Sequence, residues 1–142
     1  MIEAAFFDTN VLVYLYDARA PDKQRMAREL VGRYFSERKA AVSTQVLQEF
    51  FVTVTQKAAR LPLRQAKALV GDYMQLNVIT IAPVHILDAI DLQEHFGISF
   101  WDALIVAAAK AAGARILFSE DLSHGQAYEG VRVQNPFLAA IQ

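Results

Sequence analysis

The sequence predicts an α/β fold, a three-layer α/β/α sandwich around a central parallel sheet. Three observations predict it. Short apolar runs with aromatic and β-branched residues alternate with longer stretches of helical periodicity, as in strands joined by crossover helices. Hydrophobic residues make up 54% of the chain, above the usual share, which fits a sheet covered on both faces. The run Ala4-Ala5-Phe6-Phe7 rises to Asp8 and continues at once as Thr9-Asn10-Val11-Leu12-Val13-Tyr14. Its first part suits a strand buried on both faces, and Thr9 and Asn10 are good helix-starting residues. Asp8 is therefore expected at the carboxyl end of a central strand, where α/β sheets place their chemistry.

The 142 residues read as one domain, 1–142, long enough to bury a full core without crosslinks. No repeat, low-complexity segment or linker divides them. No apolar run reaches the length of a membrane span, and the first residues lack the basic flank and cleavage site of a signal peptide. A cytoplasmic protein with no membrane partner is expected. The absence of cysteine excludes disulfides, thiolate zinc sites and a cysteine nucleophile. A net charge of −1 provides no global attraction to nucleic acid, so such a partner needs a local basic patch.

The later elements follow in order. Ala20-Pro21-Asp22 breaks the chain and starts a second helix, in which Met26, Leu30 and Tyr34 form one apolar row beside Ala27, Val31 and Phe35. Ala40-Ala41-Val42-Ser43 reads as a short strand. Ser43 or Thr44 then caps a helix whose Leu47, Phe50, Phe51 and Val54 face the core. Pro62 opens a helix with Ala66, Leu69, Val70, Tyr73 and Met74 inward and Arg64 and Lys67 outward. Val78-Ile79-Thr80-Ile81 is β-rich, and Pro83 begins a helix carrying Ile86, Leu87 and Ile90. Residues 101–112, WDALIVAAAKAA, are apolar nearly all round, so this helix is buried, and Gly113 suits its end. Arg115-Ile116-Leu117-Phe118 forms a strand ending in Ser119-Glu120-Asp121, and Val131-Arg132-Val133 forms a last one.

Four acids stand out, and each has a plain structural alternative. Asp8 serves equally as a helix cap, and Glu49, beside Phe50 and Phe51, as a solvated edge residue. Asp102 completes the S-x-x-[DE] capping box Ser99-Phe100-Trp101-Asp102, and Asp121 suits the start of a turn. Together they say more. Asp8 and Asp121 follow strands, Asp102 heads a buried helix, and Glu49 lies early in a helix that follows a strand. In a parallel sheet these points share one edge. Carboxylates gathered there repel, so either some are protonated or a cation neutralises them. An all-oxygen site suits Mg²⁺ or Mn²⁺ better than zinc, and the chemistry it best supports is metal-assisted attack of water on a phosphodiester.

At these residues the chain resembles the PIN-domain ribonucleases, and among them the VapC-type toxins of bacterial toxin–antitoxin pairs. Asp8-Thr9-Asn10 resembles the family's opening D-[TS]-[NS] signature, and residues 43–49, STQVLQE, are similar to its second motif. Gly97-Ile98-Ser99-Phe100-Trp101-Asp102-Ala103 is the closest match, and Ser119-Glu120-Asp121-Leu122 is similar to the fourth motif, selecting Asp121 over Glu120. The resemblance runs from Phe7 to Asn135-Pro136-Phe137. It implies a parallel sheet of about five strands, Mg²⁺- or Mn²⁺-dependent cleavage of RNA, a cognate antitoxin protein and a homodimer. It makes Asp8 and Asp102 the most direct metal ligands. Glu49 would be a ligand or position the water, and Asp121 would complete the acidic cluster. Asn10 and Ser119 orient the carboxylates, or simply cap helix and turn.

Other polar residues carry weaker signals. Lys23, Arg25, Arg28, Arg33, Arg38 and Lys39, with Lys57, Arg60, Arg64 and Lys67, either line an RNA groove or form solvated helix faces; for most the second is expected. His85 and His95 read as surface or helix-end residues and His124 as a loop residue. Phe100 and Trp101 either stack on a nucleotide or, as is first expected beside a buried helix, pack in the core or an interface. Exposed apolar area near Val13, Tyr14 and Tyr16 is one candidate antitoxin surface, and these residues serve equally as dimer or core residues. Two other functions compete. A haloacid-dehalogenase-like phosphatase needs a second aspartate two positions after the first, then Gly-Thr, but Asn10 and Val11 occupy those places. A non-catalytic binding module would keep the fold and use the acids as caps.

Overall fold

The opening run forms the central strand, β1 (Ala5–Phe7), of a computed structural model that describes residues 2–138. All three β1 residues are fully buried, as a strand covered on both faces requires. Then come α1 (Thr9–Tyr14), α2 (Pro21–Ser36), β2 (Ala40–Ser43), α3 (Thr44–Gln56), α4 (Leu63–Tyr73) and β3 (Asn77–Ile79). The second half adds α5 (Pro83–Phe96), α6 (Phe100–Ala111), β4 (Ile116–Phe118), β5 (Ala127–Tyr128) and β6 (Val131–Gln134). The sheet order is β3-β2-β1-β4-β6-β5, parallel except for the β5–β6 pair.

Five parallel strands match the expected number. The sixth is a two-residue addition, turned back through Glu129 (φ 50°) and Gly130 (φ 92°), the two positive φ values of a type I′ hairpin. So short a strand leaves no alternation to read in sequence.

From β1 the chain winds outward through β2 to β3, then returns across β1 to β4 and β6. Right-handed crossovers place α1 to α4 on one face of the sheet and α5 and α6 on the other. The winding reverses between β1 and β4, so a crevice opens at their carboxyl ends, where open α/β sheets bind ligands.

The helices start where the sequence indicates. Asp8 caps α1, and the Ser43 hydroxyl accepts the Val46 N–H at the start of α3. The Ser99 hydroxyl accepts the Asp102 N–H at the start of α6. Gly97 ends α5 at φ 69°, a left-handed conformation that a side chain would strain. α6 buries every residue from Ala103 to Ala109, as its composition predicts, and packs on β2, β4 and β6.

One apolar placement differs from expectation, and two others could not be settled by periodicity. Met74 is exposed rather than inward, because α4 ends at Tyr73 and Met74 is already its cap. α5 buries only Ala89 and Leu92, and its Val84, Ile86, Leu87 and Ile90 face outward. α5 packs on α6 along its other side. Trp101 is 63% exposed in the free chain, which rules out core packing and leaves the interface and stacking readings.

Phe7 anchors the α2 side of the core. Its ring meets Tyr34 edge-on at 5.6 Å and lies 5.2 Å from Phe118 of the neighbouring strand. Phe7→Ala is expected to lower unfolding free energy in urea by about 3–5 kcal/mol, through lost transfer energy and a central cavity.

Candidate active site

The site begins where β1 and β4 stop. The Asp8 N–H donates to the Phe118 carbonyl at 3.0 Å, and the Ser119 N–H to Gln134 at 3.1 Å, so the sheet ladder carries both residues to its edge. There the buried Ser119 hydroxyl donates to Asp8 Oδ2 at 2.7 Å. The same oxygen accepts the N–H groups of Asp121 (3.2 Å) and Leu122 (3.3 Å). With its lone pairs committed to two amides, its single proton must go to Asp8. Ser119 thus caps a turn and orients a carboxylate at once, combining both sequence readings.

The other acids arrive from separate elements. Glu49, in the second turn of α3, accepts from the Thr9 hydroxyl at 2.8 Å. Asp121 accepts from Asn10 Nδ2 at 3.1 Å, and the same nitrogen lies 3.5 Å from Asp8 Oδ2. Asn10 Oδ1 in turn accepts the Glu120 N–H at 3.2 Å, tying the loop after β4 to α1. Asp102 heads α6; among the described residues its carboxylate accepts no hydrogen bond, although its N–H is capped by Ser99. Asp8, Glu49, Asp102, Asp121 and Asn10 all line one cavity of about 600 Å³.

Adjacent acids are sorted by their partners. Glu120 turns away from the cavity, where it accepts from the Tyr14 hydroxyl at 2.7 Å and pairs with Lys23 of α2. Asp121 is left as the carboxylate facing the crevice. Lys23 is thereby a structural partner. Of the basic residues read from the sequence, only Lys57 lines the cavity.

Sequence reasoning missed Asp17, Arg19 and Gln45 in the wall. Arg19 grips the buried Asp17 through Nε (2.9 Å) and Nη2 (3.0 Å), which lowers the Asp17 pKa. The spacing Asp17-Ala18-Arg19 was the only signal. Gln45 Nε2 donates to the Trp101 carbonyl at 3.3 Å, while its buried Oε1 has no donor among the described residues. His85 caps α5 by accepting the Ala82 N–H, and His124 accepts the Asn135 N–H, so both are structural as expected. Val13 is buried, and the Tyr16 hydroxyl bonds to that of Tyr73, which leaves little free apolar area there.

Burial pushes the Asp8 pKa up to about 7; its bonds to Ser119 and Thr9 pull it down, and Asp121 and Glu49 push it further up. The ionised form is therefore costly in the free chain. A divalent cation would offset that cost, and the all-oxygen donor set suits a hard one. Among the described residues no three acids stand close enough to enclose an ion by themselves. Asp8, Glu49 and Asp121 are each drawn to a neighbouring donor, so water must supply much of any ion's coordination. Mg²⁺ characteristically keeps several waters.

The family model for the PIN domain matches residues 5–129. The chain belongs to the PIN-domain family. No curated protein matches it in sequence. A toxin–antitoxin complex from Klebsiella pneumoniae is similar in structure at a TM-score of 0.71 and 21% identity, covering 94% of this chain and 98% of that one. A DNA-bound VapBC from Salmonella typhimurium has a TM-score of 0.66 at 16% identity, covering 95% and 99%. A sarcin–ricin-loop-cleaving VapC toxin from Mycobacterium tuberculosis has 0.59 at 18% identity, covering 83% and 90%. All three share the PIN fold described above. No helix is long and apolar enough to cross a membrane among the described residues.

The raised Asp8 pKa has a consequence for stability. Between the ordinary carboxylate value of 3.8 and about 7 the folded chain holds a proton that the unfolded chain has released. Stability from this group is then fully present below 3.8 and lost as pH rises towards 7. In EDTA the melting temperature is expected to fall between pH 5 and pH 8, as read by differential scanning fluorimetry. Mg²⁺ should restore it at pH 8, and Asp8→Asn should flatten the slope.

Proposed function

We propose that this PIN domain is a metal-dependent endoribonuclease, the toxin of a toxin–antitoxin pair, acting in the cytoplasm where its RNA is found. The observation that carries this reading is the convergence of Asp8, Glu49, Asp102 and Asp121 on one cavity at the switch point of the sheet. Each comes from a different element, and the net charge gathered there favours a divalent cation. The similar structures, two toxin–antitoxin complexes and a sarcin–ricin-loop-cleaving toxin, support the choice of substrate and of an antitoxin partner.

Asp8 and Asp102 would hold the cation, Mg²⁺ or Mn²⁺, most directly. When bound, the ion lowers the pKa of water and stabilises charge on the phosphodiester oxygens. Glu49, fixed by Thr9, lies across the cavity and orients the attacking water or adds a ligand. Asp121 completes the acidic set. Ser119 and Asn10 hold Asp8 and Asp121 in place, and the loss of such supporting bonds typically costs about 10–100-fold in metal affinity or activity. Lys57 and Arg19 line the same cavity, where they would meet the phosphates of a bound RNA.

A second copy of the chain is proposed as a further partner. The outward Val84, Ile86, Leu87 and Ile90 of α5 form an apolar face of the kind that homodimers bury.

Two experiments test these assignments. Total cellular RNA is expected to yield discrete fragments with Mg²⁺ or Mn²⁺, none with EDTA, and none with folded Asp8→Asn or Asp102→Asn; intact RNA together with no calorimetric metal binding would overturn the nuclease. Light scattering is expected to give twice the chain mass for wild type and the single mass for Leu87→Glu; a monomeric wild type removes the dimer.

A further inference from the structure

We propose that Trp101 and Gln45 form a nucleobase-binding subsite beside the acids, in which a base flanking the cleaved phosphate stacks on the indole. The proposal rests on the ribonuclease reading and deepens it. Trp101 is the chain's single tryptophan, is 63% exposed, and lines the same cavity as the four acids. A large aromatic left in water beside a polar cleft contributes nothing to the core, and base stacking is the interaction such a face offers to single-stranded RNA.

The ring is also held ready. Trp101 stands on the first turn of α6, whose next seven residues are buried, so its backbone cannot drift. Phe100 meets it edge-on at 5.2 Å and 78°. Gln45 fixes the Trp101 carbonyl from α3. Ordering costs little when the platform is already rigid.

Gln45 provides the second, independent observation. It is 6% exposed, belongs to the cavity wall, and leaves Oε1 without a donor. A buried orphan acceptor is costly, and a turn of the Gln45 side chain into the cavity lets a ligand N–H satisfy it. Every nucleobase carries at least one N–H on its edge, whereas a bare phosphate carries none to spare. An aromatic face, an acceptor next to it, and Lys57 and Arg19 nearby together match a nucleotide: base, edge and phosphate. Because Trp101 and Asp102 line the same cavity, the stacked base belongs to a nucleotide adjoining the reacting phosphate.

The test uses the full chain carrying Asp8→Asn, which prevents cleavage but leaves this wall intact. Short mixed-sequence RNA is expected to quench the lone tryptophan emission, while an abasic oligomer of equal charge does not. By anisotropy of labelled RNA, Trp101→Ala should weaken binding by about 5- to 150-fold. Trp101→Phe should regain most of that loss, and Gln45→Met should weaken only the base-bearing oligomer. Equal quenching by both oligomers, or unchanged affinity in Trp101→Ala, would overturn the subsite. So would emission that responds to protein dilution but not to RNA, which would mean a second copy covers the ring. If those results accompany normal metal-dependent cleavage by wild type, the subsite alone fails; if wild type neither cleaves RNA nor binds metal, the ribonuclease reading fails first.

Discussion

One carboxylate, that of Asp8, is placed where water barely reaches it, and much of the molecule is arranged around that constraint. Its position follows from β1: three fully buried residues run to the sheet edge and deliver the next residue into the crevice. The parallel pairing with β4 brings Ser119 alongside. Hydrogen bonds from Ser119 and Thr9 recover part of the lost hydration but not all of it, since the group still titrates near neutrality. The fold thus holds a charge it stabilises incompletely, and this is what makes the crevice receptive to a cation.

The neighbouring acids show how little separates a structural carboxylate from a reactive one. Glu120 and Asp121 are consecutive, yet the first is neutralised by Lys23 and Tyr14 while the second faces the cavity with only an amide donor. Asp17 is likewise neutralised by Arg19 on the cavity wall. Identity of the side chain decides nothing here. The availability of a cation within reach does.

Much of this could be read from residues alone, and the successes share a cause. Strands buried on both faces are unambiguous apolar runs, and Ser43 and Ser99 cap helices through purely local bonds. The acids were legible because the topology of a parallel sheet sends strand ends to one edge. What escaped depended on distant packing. The outward face of α5 cannot be told from an inward one, since periodicity reports that a helix has an apolar side and not where it points. Trp101 reads first as packing because aromatic residues beside a buried helix normally pack, so its alternative, stacking on a nucleotide, stays in second place until the exposure of the ring is known. Gln45, Asp17 and Arg19 carried no periodic or motif signal; they matter only because α1, α3 and α6 meet around the same cavity.

The sheet has unusually little free edge. One border is β5, two residues long and folded back on β6; the other is the three-residue β3. A partner that binds by adding a strand needs a run of open backbone donors and acceptors, which read almost any sequence. These borders offer too short a run for that. Whatever docks on this molecule must therefore fit its side chains, and selectivity towards a partner is built in by the brevity of two strands.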